Sequence, residues 1–441
     1  MDWVAFGLLL NEHILLYLLM LIGSIVLYVV LFKKMYISIL DPFIYSLVFS
    51  CFGFSVVWFL YFTDSITIRY LLSYLFTQIA FWLGLFSFKT LTKKQIIKDR
   101  KTIVIEHEAL ILQILFFTTS IIYIVLQLLS YVVIGIPLLL GSHIDIYNNS
   151  GGWGIVGHFI DVLKPISIFM LIYYLFKKSP SYFLFIYKYA FLALVLLFFA
   201  LSASKGEFMS IGLIFFCFLL LNAPKYKDYF LNLKKIEIRL ILAGLVFVFF
   251  TIIIQSKLVD DDSSSLGVFL FRLVAAGDTY YFSYPNGYIE TLNSSKPFLA
   301  LFGNIFSTLR IVPRENQPVI LGVQLYRLFG DTDLTAGPNA RHNVFGYVYF
   351  GFYGSIIFSY LIGGIFSFLR NKLFFNFKKN VLGQIIFMLL YLQLVSLETD
   401  PPMAISNTEN LLLVLPVIAA ITAFCYSLLM NFNPHKAENP V

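Results

Sequence analysis

Apolar runs about twenty residues long, separated by short stretches that collect most of the charge, recur along the whole chain. A helix needs about 20 apolar residues to cross the hydrocarbon of a bilayer. Runs of that kind predict helices near 14–32, 43–62, 68–88, 109–130, 155–176, 187–202, 208–222, 238–256, 343–369, 381–397 and 409–430. The pattern therefore predicts an all-α polytopic membrane protein with eleven crossings. The runs at 187–202 and 208–222 are short, so one of them is either longer than drawn or partly re-entrant. Composition agrees: 59% of residues are hydrophobic and 12% charged, and mean hydropathy is +0.85, which excludes an ordinary soluble domain. Asp2, Glu12 and His13 precede the first long run without any Lys or Arg, and no small-x-small site closes it, so it is expected to stay in the mature chain.

The formal charge of +7 does not indicate nucleic acid, because the basic residues are spread between apolar runs and form no single stripe. Lys33-Lys34, "KTLTKKQIIKDRK" (89–101), Lys177-Lys178, "KYKDYFLNLKKIEIR" (225–239) and "RNKLFFNFKK" (370–379) occupy every second connection. Cytoplasmic loops carry the excess of Lys and Arg, so the N-terminus is expected outside and the C-terminus inside. Three segments follow: a bundle of about eight helices over 1–256, an external loop over 257–342, and about three helices with a short cytoplasmic tail over 343–441.

On this layout the inner side holds 18 Lys and 3 Arg, and the outer side 4 Lys and 6 Arg. Topology needs only charge, which lysine supplies, so Arg69, Arg272, Arg310, Arg314, Arg327 and Arg341 need another reason. Arginine offers a planar fork that binds phosphate or carboxylate through two donors. The alternative for each is a side chain snorkelling to lipid headgroups or pairing with Asp260, Asp261 and Asp262. Five of the six lie in one loop, Lys257 to His342, which is 86 residues long and rich in aromatics, as in "DTYYFSYPNGY" (278–288). Loops of this length within a compact domain are usually functional. Within it Phe298, Leu299, Phe302, Ile305, Phe306 and Leu309 recur at helical spacing, which predicts a short helix lying in the membrane interface or packed on the bundle.

The loop ends in "GPNARHNVFGYVYFGFYG" (337–354). Arg341 and His342 are expected at the outer mouth of a helix starting near Asn343, where unpaired N–H groups and the helix dipole favour anions. His342 is suited to moving a proton near neutral pH, or is a hydrogen-bonded bystander. Gly346, Gly351 and Gly354 admit close approach of another backbone. Cys51, Cys217 and Cys425 lie in apolar runs without paired spacing, and the six histidines form no ligand cluster, so neither disulfides nor a metal or other cofactor is implied.

Arg341-His342-Asn343 followed by "GYVYFGFYG" resembles the motif of membrane polymerases and ligases of bacterial surface polysaccharides. It is most similar to the O-antigen or capsule repeat-unit polymerase (Wzy-type) family. "GIPLLLGSHIDIYNNSGGWG" (135–154) resembles that family's glycine-bearing external loop, "LSASKGEFMSIGLI" (201–214) its Ser-Lys/Arg-Gly turn, and the long late loop its external loop. Two departures stand out: Asp145 and His143 lie where the family often has an arginine, and Gly351 and Gly354 sit closer to His-Asn than in the ligases. The resemblance implies transfer of a glycan from undecaprenyl diphosphate to a lipid-linked repeat unit at the outer face of the bacterial inner membrane, without metal or nucleotide sugar. It also implies membrane lipids and a chain-length regulator protein as partners.

A diphosphate leaving group needs cations and the acceptor hydroxyl a base. Arg341, Arg314 and Arg310 are expected at the diphosphate, with Arg272 and Lys205 behind them. His342 is expected as base, with Asp278 or Glu290 as substitutes. Tyr280, Tyr281 and Tyr288 either stack on sugar rings or belong to an interfacial aromatic belt. Glu398 and Asp400 in "LETDPPMAIS" either line the acceptor side or solvate a hairpin. A ligase shares the His-Asn signature. A flippase fits the composition, but transporters usually carry internal repeats and charged or broken helices at the bilayer midplane, whereas this sequence shows no repeat between its halves and concentrates its charge in an external cap. A scaffolding protein leaves the outer arginines unexplained.

Overall fold

The computed structural model describes residues 1–98, 106–139, 154–179, 181–202, 205–235, 237–239, 242, 246, 274–330 and 337–432. Its elements are helices, with no strand among the described residues. In chain order they are α1 (Trp3–Glu12), α2 (Ile14–Phe32), α3 (Pro42–Phe62), α4 (Ile68–Leu85), α5 (Glu108–Val133), α6 (Gly154–Leu175), α7 (Tyr182–Leu201), α8 (Lys205–Leu221), α9 (Asp278–Ser283), α10 (Pro297–Thr308), α11 (Leu321–Arg327), α12 (His342–Phe368), α13 (Val381–Leu392), α14 (Leu394–Thr399) and α15 (Pro401–Phe432). Several shorter turns of helix connect them.

Among the described residues nine helices are long and apolar enough to cross a membrane, and these correspond to nine of the eleven expected runs. The run at 208–222 is the shorter helix α8, and the run at 238–256 lies largely outside the described residues. In α2 the large apolar side chains Leu15, Leu19, Ile22, Val26 and Val30 point outward, as expected of a face that meets lipid.

The residues group into two compact units, each interleaved along the sequence. One unit holds Met1–Thr92, Asp262–Leu373 and Gln393–Asn407, so the described residues of the long loop group with α1–α4. Here α12 packs on α4, α2 and α14 on α3, and α9 on α3 and α11. Asp41 caps α3, accepting from the Phe43 amide, and pairs at 2.8 Å with Arg370 just beyond α12, both fully buried. The second unit holds Lys93–Asp261, Phe374–Leu392 and Thr408–Val441, in which α6 packs on α5, α7, α8 and α13.

The sequence predicts one straight crossing over 343–369, and here the structure departs from it. Gly351 adopts φ 68°, ψ −176°, a backbone open in practice only to glycine. The chain reverses there. His342 Nδ1 lies 2.9 Å from Ser359 Oγ, and the Phe345 and Phe358 rings are 5.6 Å apart. In a straight helix residues 345 and 358 would be about 20 Å apart, at 1.5 Å per residue. Residues 342–350 therefore form a short arm folded back on 352–368. Gly346 faces the Ser355 backbone, so the close approach its sequence suggested is made by the returning arm of the same helix. The longer arm crosses α4 where a Cβ on Gly84 would strike the Tyr360 carbonyl, and one on Gly363 the Phe81 carbonyl. Cysteines replacing Phe345 and Phe358 in a cysteine-free background should cross-link in the folded protein, and adding Gly351→Ala should suppress that bond. Absence of any cross-link would mean a straight helix.

Candidate functional site

The expected position of the triplet is corrected by the structure. α12 starts at His342 with Arg341 as its N-cap, but this start is not at a helix mouth facing solvent. Asn343 Nδ2 donates to Thr77 Oγ1 at 2.8 Å, and His342 stacks on Phe81 at 4.7 Å, both partners well inside α4. Thr77 is nine residues from the start of α4 at Ile68, hence about 14 Å along it. Arg341, His342 and Asn343 are all fully buried. An exposed anion site at this N-terminus is thereby ruled out: protein covers it.

Each member of the triplet has a separate task. Arg341 Nη1 donates to both carboxylate oxygens of Glu398 at 2.8 and 3.0 Å, while Nη2 donates to the carbonyls of Phe49 (3.2 Å) and Ala276. The absence of a side chain at Gly53 leaves room for the guanidinium and for Tyr280. Arg341 holds φ 44°, unusual for a residue with a side chain, and its N–H donates to the Thr399 carbonyl at 2.7 Å. It thus clamps the end of α14 to α3. Asn343 continues the network: its Oδ1 accepts from Tyr280 Oη at 2.8 Å, and Gln78, beside Thr77, donates to Ser50 Oγ and Tyr28 Oη. His342 has Nε2 buried with no hydrogen-bond partner among the described residues.

Several expected roles change accordingly. Arg341 has both terminal nitrogens committed to protein, so it is not open to a diphosphate. His342, enclosed by Phe81 and Ser359, does not reach an acceptor hydroxyl. Glu398 neither solvates a hairpin nor lines an exposed surface, being the buried partner of Arg341. Tyr280 and Tyr281 are buried, Tyr281 stacked on Phe6 at 4.1 Å, so neither is available to a sugar ring. Tyr288 keeps partial exposure against Phe329. Glu290 accepts from Tyr347 Oη (2.7 Å) and Arg69 Nη2 (2.9 Å), and Arg69 remains 66% exposed. Arg310 is exposed just past α10. Arg272, with Asp260, Asp261 and Asp262, lies outside the described residues, as do the side chains of Lys205 and Arg314.

Asp278 is the sequence-selected residue whose setting suits proton transfer. It opens α9, half-buried, with Oδ1 accepting from the Thr279 amide at 2.7 Å. Thr279 Oγ1 in turn donates to the Asn339 carbonyl, which ties Asp278 to the strand of chain leading into the triplet. Burial pushes the Asp278 carboxyl up to about 7, overcoming the hydrogen bond from Thr279 and the nearby Arg341 charge, which act in the opposite sense. Tyr281 and Tyr326 feel the charge of Asp278, which raises both phenols further than burial alone. Asp400, in the turn before α15, is likewise pushed up by burial to about 6.

The partners of the triplet are what sequence reading missed. Ser50, Thr77, Gln78 and Ser359 interrupt apolar runs near mid-helix, and a polar residue there must find a partner. That was the available signal, although it does not say which partner.

No protein-family model matches the chain, and no curated protein or solved structure is similar to it at a significant level.

Proposed function

We propose that this protein joins lipid-linked oligosaccharide repeat units into a surface polysaccharide at the outer face of a bacterial inner membrane. The donor is a glycan on undecaprenyl diphosphate. The acceptor hydroxyl of a second lipid-linked unit attacks the anomeric carbon, the bond from that carbon to the diphosphate oxygen breaks, and the electron pair leaves on the diphosphate. Asp278 takes the hydroxyl proton. Arg69, exposed at the start of α4, supplies a guanidinium for the departing charge.

The observation that carries this reading is the Asp278 carboxyl, half-buried and raised to about 7, where a general base works best near neutral pH. The four stretches that resemble repeat-unit polymerases support it from the sequence side. The buried triplet then acts as the hub that fixes α9, and with it Asp278, against α3 and α4.

A transporter for the same lipid-linked unit is the second reading. It is favoured by one observation: the Arg341–Glu398 pair lies deep among interrupted helices, a setting in which transporters hold their substrates. Against it stand the lack of a repeat between the halves and the concentration of charge in the long loop.

Surface glycan from a strain lacking the gene, complemented with wild type or Asp278→Asn at matched protein level, separates the readings. A polymerase gives a ladder with wild type and single repeat units with Asp278→Asn. Long polymer left on the carrier in the deletion strain indicates a ligase. Repeat units trapped on the cytoplasmic leaflet indicate a flippase and end the polymerase reading.

A further inference from the structure

We infer that α10 and the residues after it form a docking surface for the headgroup layer of the bilayer at the α3–α4 end, with Lys296 and Arg310 holding anionic phospholipid. This goes beyond the proposed reaction and does not depend on it. Phe298, Phe302, Ile305 and Leu309 follow one another at helical spacing and lie along one stripe of α10 and its C-cap. Of these, Phe298 is 70% exposed, and Phe302 and Leu309 are exposed as well. The residues buried under the helix are instead Leu301 and Gly303, with the Gln317 side chain donating to the Gly303 carbonyl. Ile311, Val319 and Ile320 extend the exposed apolar surface beyond the helix. A cap bathed in water would turn this stripe inward, and here it is turned out.

Two observations name the occupant. The first is position. The turn before α10 is fixed to the start of α4: Arg69 binds Glu290, Tyr70 stacks on Tyr284, and a Cβ on Gly287 would strike the Tyr70 hydroxyl. Phe62 and Ile68, where α3 ends and α4 begins, are themselves exposed apolar residues at that level. The stripe thus continues the lipid-facing surface at the point where the crossings stop, which is the headgroup layer. The second is charge. Lys296 precedes α10 and Arg310 follows it, both exposed, and from 296 to 320 the sequence has three cations and one carboxylate, Glu315. A helix with aromatic residues on one side and cations at its ends suits an anionic surface. On this placement Arg310 serves phospholipid and not the reacting diphosphate.

The test uses full-length protein with Cys51, Cys217 and Cys425 replaced by alanine, a nitroxide on a cysteine introduced by Phe298→Cys, and nanodiscs of phosphatidylcholine with phosphatidylglycerol. Dissolved oxygen should relax the label more than a water-soluble nickel chelate does, as in lipid. Stronger relaxation by nickel would place α10 in water, and shielding from both would place it under protein; either result overturns the inference. The label at Ile320→Cys gives the same reading should the first variant fold poorly. Removing phosphatidylglycerol should raise nickel access in the parent protein and leave it unchanged once Lys296→Gln and Arg310→Gln are added. An equal rise in both would refute the role of the two cations.

Discussion

Glu398→Ala is expected to cost about 3–5 kcal/mol, the usual effect of leaving one partner of a buried ion pair alone. Net stabilities run to only about 5–15 kcal/mol, so a large part of the stability margin should be lost. The reason is the setting of Arg341, whose Nη1 has no other partner among the described contacts and whose burial is complete. Size-exclusion profiles and thermal melting in detergent report the loss directly. Replacing both charges, Arg341→Met with Glu398→Leu, should recover much of it, because an apolar pair removes the need for compensation. A Glu398→Ala protein that melts like wild type would show that the pair is not a clamp. The same experiment guards against a misreading: loss of polysaccharide on changing Arg341 or His342 is expected from misfolding and would not make either a catalytic residue.

Asp278→Asn should behave in the opposite way, folding well and losing transfer by on the order of a hundredfold or more, the scale of a positioned general base. A base with its pKa raised to about 7 is protonated as pH falls, so wild-type transfer should drop by about tenfold per pH unit below 7 and level off above it. Stability runs the other way. A carboxyl raised from its ordinary 3.8 binds its proton more tightly in the folded state, so folding gains from it below about 4 and loses that gain as pH rises towards 7. The Asn variant, neutral throughout, should lack this decline and be at least as stable as wild type at neutral pH. Transfer rates with lipid-linked units in nanodiscs, alongside melting curves from pH 4 to 8, check both halves. Full activity in the variant would remove Asp278 from the mechanism.

Hydropathy along the chain was enough to place nine of the helices and to mark them as long and apolar enough for a membrane. Nine apolar runs became long helices because, in hydrocarbon, a backbone must satisfy its own hydrogen bonds and a helix does so locally. The sequence also marked the Arg341-His342-Asn343 triplet, by its place before an apolar run and its resemblance to a family motif, and offered Asp278 as a substitute base. The partners of the triplet come from distant parts of the chain and are fixed by the fold. Glu398 is 57 residues from Arg341, Thr77 is 266 from Asn343 and Phe49 is 292 from Arg341, and no local pattern encodes such pairings. The reversal at Gly351 was equally hidden, because a glycine in an apolar run reads the same at φ −63° as at φ 68°. Hydropathy is an average over neighbours in sequence, whereas the depth of the triplet depends on the fold that brings α3, α4, α9 and α14 around it.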